Sequence, residues 1–121
     1  MQRLITVEEH YNSKTVNEKI RKIYEAHGTE EQQRSVMTAT GEAAPGATDL
    51  GAGRIAYMDA HGIDAQVISY ASGIPATMEP EFSVALCRDV NNEMAEKAAA
   101  YPGRFYLFAH LPLGDGSEAA K

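Results

Sequence analysis

Short apolar runs alternate along this chain with segments whose apolar residues recur at helical spacing. The apolar runs, which predict three strands, cover residues 3–9, 64–69 and 104–109. The helical segments start or stop at capping residues, and they cover residues 15–28, about 49–62, 80–103 and a last stretch that starts near Asp115 or Ser117. Strands that alternate with helices in this way predict an α/β fold with a parallel sheet.

Two local features refine this pattern. The first helix opens with Thr15-Val16-Asn17-Glu18, a capping box in which Thr15 is the predicted N-cap and Glu18 follows three residues later. Residues 35–48, by contrast, have little periodicity and contain two glycines and a proline. We predict a long surface loop over residues 35–48, and loops of that length are usually functional or mobile.

The composition is that of an ordinary globular protein, with 121 residues of which 44% are hydrophobic and 23% are charged. Eleven Lys and Arg against 17 Asp and Glu give a net charge of −6 without a basic run, which argues against nucleic acid and membrane surfaces as partners. The single cysteine, Cys87, excludes an internal disulfide and suits a reducing compartment. No apolar run approaches the ~20 residues of a membrane span, and the early first strand leaves no room for a signal peptide. We therefore expect a cytoplasmic protein.

The first predicted strand ends in three chemically active residues, Glu8, Glu9 and His10. Residues i and i+2 of a strand point to the same side, so Glu8 and His10 are expected to share one face while Glu9 turns away. A carboxylate and an imidazole on one side suit a divalent metal such as Zn²⁺ or Mn²⁺, at about 2.0–2.2 Å from each donor atom. Charged residues where a strand simply reaches solvent would give the same pattern.

Three stretches of the sequence resemble the amidohydrolase-related decarboxylase family. They are LITVEEHY, RIAYMDAHGIDAQVIS and NNEMAEKAAAYPGRFYLFAHLPLGD. The family includes γ-resorcylate and 2,3-dihydroxybenzoate decarboxylases and, more distantly, aminocarboxymuconate semialdehyde decarboxylase. The resemblance covers residues 3–11 and about 50–121, whereas residues 12–49 match poorly. It implies that residues 1–121 are the N-terminal part of a TIM (β/α)₈ barrel, with its first three β/α units, because a whole barrel needs about 250 residues.

The resemblance also implies roles for the residues at the end of the first strand. Glu8 and His10 correspond to two metal ligands of the family, and Glu9 corresponds to a supporting carboxylate. The remaining ligands, a His and an Asp, and the catalytic histidine are expected beyond Lys121. No catalytic residue is therefore assigned within this chain.

Three further residues are candidates for substrate binding, each with a structural alternative. Tyr11 follows the ligand strand where relatives often carry an aromatic residue, and a packing role is equally open. Ser69 ends the second strand near the expected barrel mouth, or is a hydrogen-bonded loop residue. His110 ends the third strand, where it either contacts substrate or caps the strand end.

The resemblance implies a metal-dependent, nonoxidative decarboxylase whose substrate is a small hydroxylated aromatic carboxylic acid. The metal, Zn²⁺ or Mn²⁺, would hold the carboxylate and the adjacent hydroxyl of that substrate. Two alternatives remain: a metal-dependent hydrolase on the same scaffold, and a truncated, noncatalytic binding or assembly module. Because an incomplete barrel leaves strand edges and an apolar interior exposed, we also expect a homo-oligomer.

Overall fold

The computed structural model describes residues 2–39, 46–71, 74–75, 77–114 and 116–121. The elements follow in the order β1 (Ile5–Tyr11), α1 (Lys14–His27), α2 (Glu30–Ala39), α3 (Ala52–Ala60), β2 (Ala65–Tyr70), α4 (Pro80–Ala99), β3 (Phe105–Leu107) and α5 (Gly116–Ala119). Within these ranges, none of the helices combines the length and the apolar character needed to cross a bilayer. The predicted alternation of strands and helices is confirmed.

The three strands form one parallel sheet in the order β1-β2-β3. The predicted parallel sheet is thus confirmed, and its strands are neighbours in chain order. β3 is shorter than predicted, because regular pairing stops at Leu107, although the Phe108 amide still donates to the Ile68 carbonyl at 2.9 Å. The opposite end of the sheet is fastened by Arg104, whose guanidinium donates to the Asp59 carboxylate at 2.7 Å and to the Asp64 carbonyl at 2.8 Å.

β1 contains a bulge, where its pairing with β2 shifts by one residue between Thr6 and Glu9. Val7 and Glu8 together lie opposite Val67, so one residue of β1 is extra. Glu8 has a φ of 60°, in the left-handed region that residues other than glycine seldom adopt. The bulge reverses the alternation of faces along β1, because a shift of one residue moves every later side chain to the other side.

The register after the bulge decides which side each functional residue faces. Glu9 lies beside Ile68, and His10 lies beside Ser69. Neighbours in a parallel pair share a face, and Ile68 is fully buried against the helices. Glu9 is therefore on the helix-covered face of the sheet, whereas His10 and Ser69 are on its open face.

The hydrophobic core fills the space between the sheet and the helices. Its least exposed members come from four elements and are each at most 1% exposed: Val16, Met58, Ile68, Val90 and Met94. The helical periodicity predicted over residues 80–103 is confirmed, since Leu86, Val90 and Met94 lie on α4 and belong to this core. The helices thus cover one face of the sheet and leave the other exposed.

The N-cap of the first helix lies two residues earlier than predicted. Ser13, not Thr15, is the N-cap, and its hydroxyl oxygen accepts from the Val16 amide at 3.0 Å. Ser13 is fully buried and is therefore held in place for this bond, whereas Thr15 lies within the first turn. Glu18 does not reach back to the cap but pairs with Arg21 on the helix surface.

The predicted surface loop over residues 35–48 is wrong for its first part, because α2 continues to Ala39. Residues 40–45 lie outside the described ranges. The helix starts at a capping box, in which the Thr29 hydroxyl accepts from the Gln32 amide at 3.2 Å and the Gln32 side chain accepts from the Thr29 amide at 2.8 Å. The cap favours a helix where the absence of apolar periodicity had suggested a loop.

Candidate metal centre

His10 is the best-defined member of the candidate centre. Its ring is exposed on the open face of the sheet, and its Nδ1 lies 3.1 Å from the hydroxyl oxygen of Ser69. The two residues are side by side in the register of β1 and β2. Among the residues described, Nε2 makes no hydrogen bond, and it is therefore the ring nitrogen that is available to a metal.

Glu8 lies within the bulge of β1, and its side chain is exposed. The predicted shared face of Glu8 and His10 assumed an extended backbone, and the φ of 60° at Glu8 removes that premise. Convergence of the two side chains on one point therefore stays a prediction. A backbone in this region costs about 1–3 kcal/mol, and such conformations concentrate at functional sites.

A cavity of about 530 Å³ adjoins the end of β1. The charged and aromatic side chains around it are Glu8, Glu9, His10, Asp49, Arg54 and Tyr57. Glu8 and His10 both contribute to its lining, together with Gly53 and Arg54 of α3 and with Gln66 of β2. Three carboxylates against one guanidinium make this space acidic, and an acidic space attracts cations.

Arg54 is a residue beside the candidate centre that the sequence did not single out. Its Nη2 donates to the carbonyl oxygens of His10 at 2.7 Å and Gly46 at 3.0 Å, and its Nε donates to the Asp49 carbonyl at 2.6 Å. Burial lowers the pKa of the Arg54 guanidinium, and the charges of Glu9 and Asp49 oppose that shift. Arg54 therefore fastens the main chain of His10 to α3 and to the segment before it. No periodicity or motif marks such an arginine in a single sequence.

Glu8 and His10 are chemically suitable ligands for a divalent metal, but they supply only part of its coordination shell. A glutamate oxygen and an imidazole nitrogen are both suitable ligands for Mn²⁺ or Zn²⁺. No group of three or more His, Cys, Asp or Glu residues that could hold a metal occurs in the part of the chain that the structure describes. Glu8 and His10 would thus need further ligands, from water or from other protein groups, to close a site.

Tyr11 lies away from the His10–Ser69 pair. It is 2% exposed in the core, and its hydroxyl donates to Glu93 Oε1 at 2.5 Å, while Ser13 donates to Glu93 Oε2 at 2.8 Å. Burial, followed by the hydrogen bond to Glu93, raises the pKa of Tyr11. The tyrosine is therefore a protonated donor in a packed network, and these surroundings match the packing alternative. Substrate binding by Tyr11 stays a prediction.

His110 is held in the segment that follows β3. Its Nε2 accepts from the Ile74 amide at 3.0 Å, and its main chain exchanges two hydrogen bonds with the side chain of Asn91 on α4, at 2.7 and 3.0 Å. Burial lowers the pKa of His110, so the ring is neutral with its proton on Nδ1. These contacts match the structural alternative, and no hydrogen bond joins His110 to His10 or Ser69 in the described ranges. Its contact with substrate stays a prediction.

Comparison with known sequences identifies relatives for part of the chain. No protein-family model matches it. The γ-resorcylate decarboxylase of Rhizobium radiobacter is 36% identical over 69 residues, which are 56% of this chain and 21% of that enzyme. The matched region therefore spans about a fifth of the length of this curated relative.

Comparison with solved structures covers nearly the whole chain. The 5-carboxyvanillate decarboxylase of Sphingomonas paucimobilis matches 99% of this chain and 38% of its own length, with a TM-score of 0.77 and 25% identity. The 5-carboxyvanillate decarboxylase of Novosphingobium aromaticivorans, complexed with manganese and 4-hydroxy-3-methoxy-5-nitrobenzoic acid, matches 90% of this chain and 34% of its own, with a TM-score of 0.67 and 22% identity. The resemblance predicted from the sequence is confirmed: the chain is similar to part of the decarboxylases of the amidohydrolase superfamily.

Proposed function

We propose that this chain carries two metal ligands, Glu8 and His10, of a metal-dependent decarboxylase that acts on hydroxylated aromatic carboxylic acids. The observation that carries the proposal is the position of His10. Its ring lies on the open face at the carboxyl end of β1, with Nδ1 bound to Ser69 and Nε2 available. Functional groups of β/α barrels stand at the carboxyl ends of strands. The similarity to decarboxylases adds the reaction class.

The same proposal assigns the sheet to a barrel. We propose that residues 1–121 form the N-terminal part of a TIM barrel and contain its first three β/α units. The parallel order β1-β2-β3, with helices on one face and an exposed second face, supports this assignment. The solved relatives are also about three times as long as the matched region.

The acidic cavity supplies a physical reason for metal dependence. A substrate carboxylate would be repelled by Glu8, Glu9 and Asp49, and each nitrogen of the neighbouring Arg54 already donates to a protein oxygen. When bound, a divalent metal offers positive charge, Lewis acidity and a fixed position for substrate oxygens. Mn²⁺ is the first candidate because a solved relative contains manganese, and Zn²⁺ is the second.

The roles of the remaining residues follow from their positions. Ser69 is the substrate-binding candidate that shares the face of His10, so it is the one that we retain at the mouth of the site. Glu9, on the helix-covered face, contributes charge rather than a ligand. A cytoplasmic location and a homo-oligomeric state remain part of the proposal.

The test is an assay of the complete gene product with Mn²⁺ and a panel of aromatic acids. 2,6-Dihydroxybenzoate and 5-carboxyvanillate represent the substrates named in its relatives, and unsubstituted benzoate is the control. We expect release of CO₂ from at least one hydroxylated acid, loss of turnover in His10→Ala and retention of turnover in Glu9→Gln. Hydrolysis of amides or esters without decarboxylation would point to the hydrolase alternative. Absence of both turnover and metal binding would point to the noncatalytic module.

A further inference from the structure

We propose that Ser69 is a positioning residue, whose hydroxyl holds the ring of His10 so that Nε2 presents its lone pair to the metal. This inference rests on the proposed function, because it concerns the same centre. In this role Ser69 acts on the metal by orienting His10. That role differs from the substrate contact expected from the place of Ser69 at the end of β2. The hydrogen bond of 3.1 Å between Ser69 Oγ and His10 Nδ1 is the observation that carries it.

The direction of this hydrogen bond decides what His10 can bind. A neutral imidazole has one proton, so when Nδ1 donates to Ser69 Oγ, Nε2 is an acceptor and can coordinate a metal. When the serine hydroxyl instead donates to Nδ1, Nε2 carries the proton and cannot bind. Metal ligation through Nε2 therefore selects the arrangement in which Ser69 is the acceptor, as is usual for the partners of metal-bound histidines.

His10 is held from two sides, which distinguishes it from an ordinary exposed histidine. Arg54 Nη2 fixes the main-chain carbonyl of His10 at 2.7 Å, and Ser69 fixes the ring. Ser69 itself is half-buried in the central strand of the sheet, so its hydroxyl is carried by a rigid element. An exposed ring gains order from such contacts, and a ligand that is already oriented binds a metal with less loss of conformational entropy.

The experiment reads the protonation of His10 directly in the metal-free chain. Long-range ¹H–¹⁵N spectra at about pH 8, where free imidazole is neutral, report which ring nitrogen carries the proton. We expect the Nδ1–H form of His10 in the wild type and in Ser69→Thr, which keeps the hydroxyl. Ser69→Ala should shift the ring toward the mixture of forms found in a free histidine. Ser83→Ala is the matched control, because the Ser83 hydroxyl bonds to the Pro80 carbonyl within α4.

A titration of the same four proteins with Mn²⁺ separates this inference from the proposed function. Loss of a hydrogen-bonding partner of a metal-bound histidine weakens metal affinity by about 10–100-fold. We expect about a tenfold loss in Ser69→Ala, the lower end of that range because the pair is exposed, and no loss in Ser69→Thr or Ser83→Ala.

The outcomes are distinct. An Nε2–H ring in the wild type, or a ring in Ser69→Ala with unchanged protonation and equal Mn²⁺ affinity, would overturn the role of Ser69 and leave the proposed function standing. A ring whose protonation depends on Ser69, in a protein where Mn²⁺ binds nowhere near His10, would support the positioning of His10 and contradict the proposed metal centre.

Discussion

The two faces of the sheet are built from the same three strands and differ in almost every physical respect. On the helix-covered face, Ile68 and Val90 both belong to the core and have no exposed surface. On and beside the open face, Val7 is 66% exposed, Tyr106 is 47% exposed and Phe108 is 65% exposed. Burial of apolar surface stabilises a fold in proportion to the area removed from water, so the covered face supplies the stability of this chain.

The polar groups of the two faces differ in how completely they are hydrogen-bonded within the protein. Tyr11 and Ser13 both donate to Glu93 behind the sheet, and this network is closed among protein groups. On the open face, Ser69 is the partner of His10 Nδ1, whereas His10 Nε2 makes no hydrogen bond within the described ranges. The contrast teaches that the buried polar network and the candidate metal ligand lie on different faces, because the register after the bulge in β1 places Tyr11 on the covered face and His10 on the open one.

The largest difference in the free energy of unfolding is expected between two matched valine substitutions, one in the core and one on the open face of the sheet. Val90→Ala removes fully buried methyl groups and should lower the free energy of unfolding by about 2–3 kcal/mol, through lost burial and a residual cavity. Val7→Ala, at an exposed position, should change it by less than about 0.5 kcal/mol. Urea denaturation followed by circular dichroism measures both free energies of unfolding. Equal losses in the two variants would contradict the claim that the covered face supplies the stability.

A smaller effect is expected from Tyr11→Phe, which breaks the hydrogen bond to Glu93. At neutral pH the free energy of unfolding should fall by about 1–2 kcal/mol. The folded-state pKa of Tyr11 lies above its unfolded value of about 10, so its stabilisation is complete below pH ~10 and declines as the pH rises further. The difference between wild type and Tyr11→Phe should therefore narrow in alkaline solution.

The control for this prediction lies on the other face. Tyr106→Phe removes a hydroxyl from a tyrosine that is 47% exposed, and it should leave the denaturation curve unchanged at neutral pH. A difference between wild type and Tyr11→Phe that stays constant from neutral to alkaline pH would show that the hydroxyl of Tyr11 does not contribute in the way described.

The smallest effect on stability, with a separate effect on association, is expected from Phe108→Ser. Exposed apolar side chains and open strand edges promote contacts between copies of a chain. The substitution should weaken self-association in sedimentation experiments while the free energy of unfolding changes by less than about 0.5 kcal/mol. A wild-type chain that remains monomeric at high concentration would contradict the predicted homo-oligomer.

The elements that the sequence revealed are those with local signals. The stripe of Leu86, Val90 and Met94 repeats every four residues, and it predicted both α4 and its buried side. The parallel order of the strands followed from helices between them. α2 also had a local signal, since Thr29 and Gln32 form a capping box, but the loop prediction rested only on the weak periodicity from residue 35 onward.

What the sequence did not reveal depends on contacts between distant segments. The bulge is a shift of pairing between β1 and β2, and nothing in Val7-Glu8 itself distinguishes it from a regular strand. Arg54 binds the carbonyl of His10, 44 positions away in the chain, through main-chain atoms that leave no mark in composition. Glu8 and His10 could be named from the sequence, whereas the backbone that orients them could not.

The most direct test of the metal centre is the pattern of NMR line broadening caused by Mn²⁺ in the 121-residue chain. A paramagnetic ion broadens the signals of nearby nuclei even when it binds weakly, as a pair of ligands would. We predict that signals of Glu8, His10 and Ser69 broaden first, that His10→Ala abolishes this pattern, and that Glu9→Gln preserves it. Broadening centred on other surface carboxylates, such as Glu18 and Glu25 of α1, and unchanged in His10→Ala, would contradict the assignment of His10 as a metal ligand.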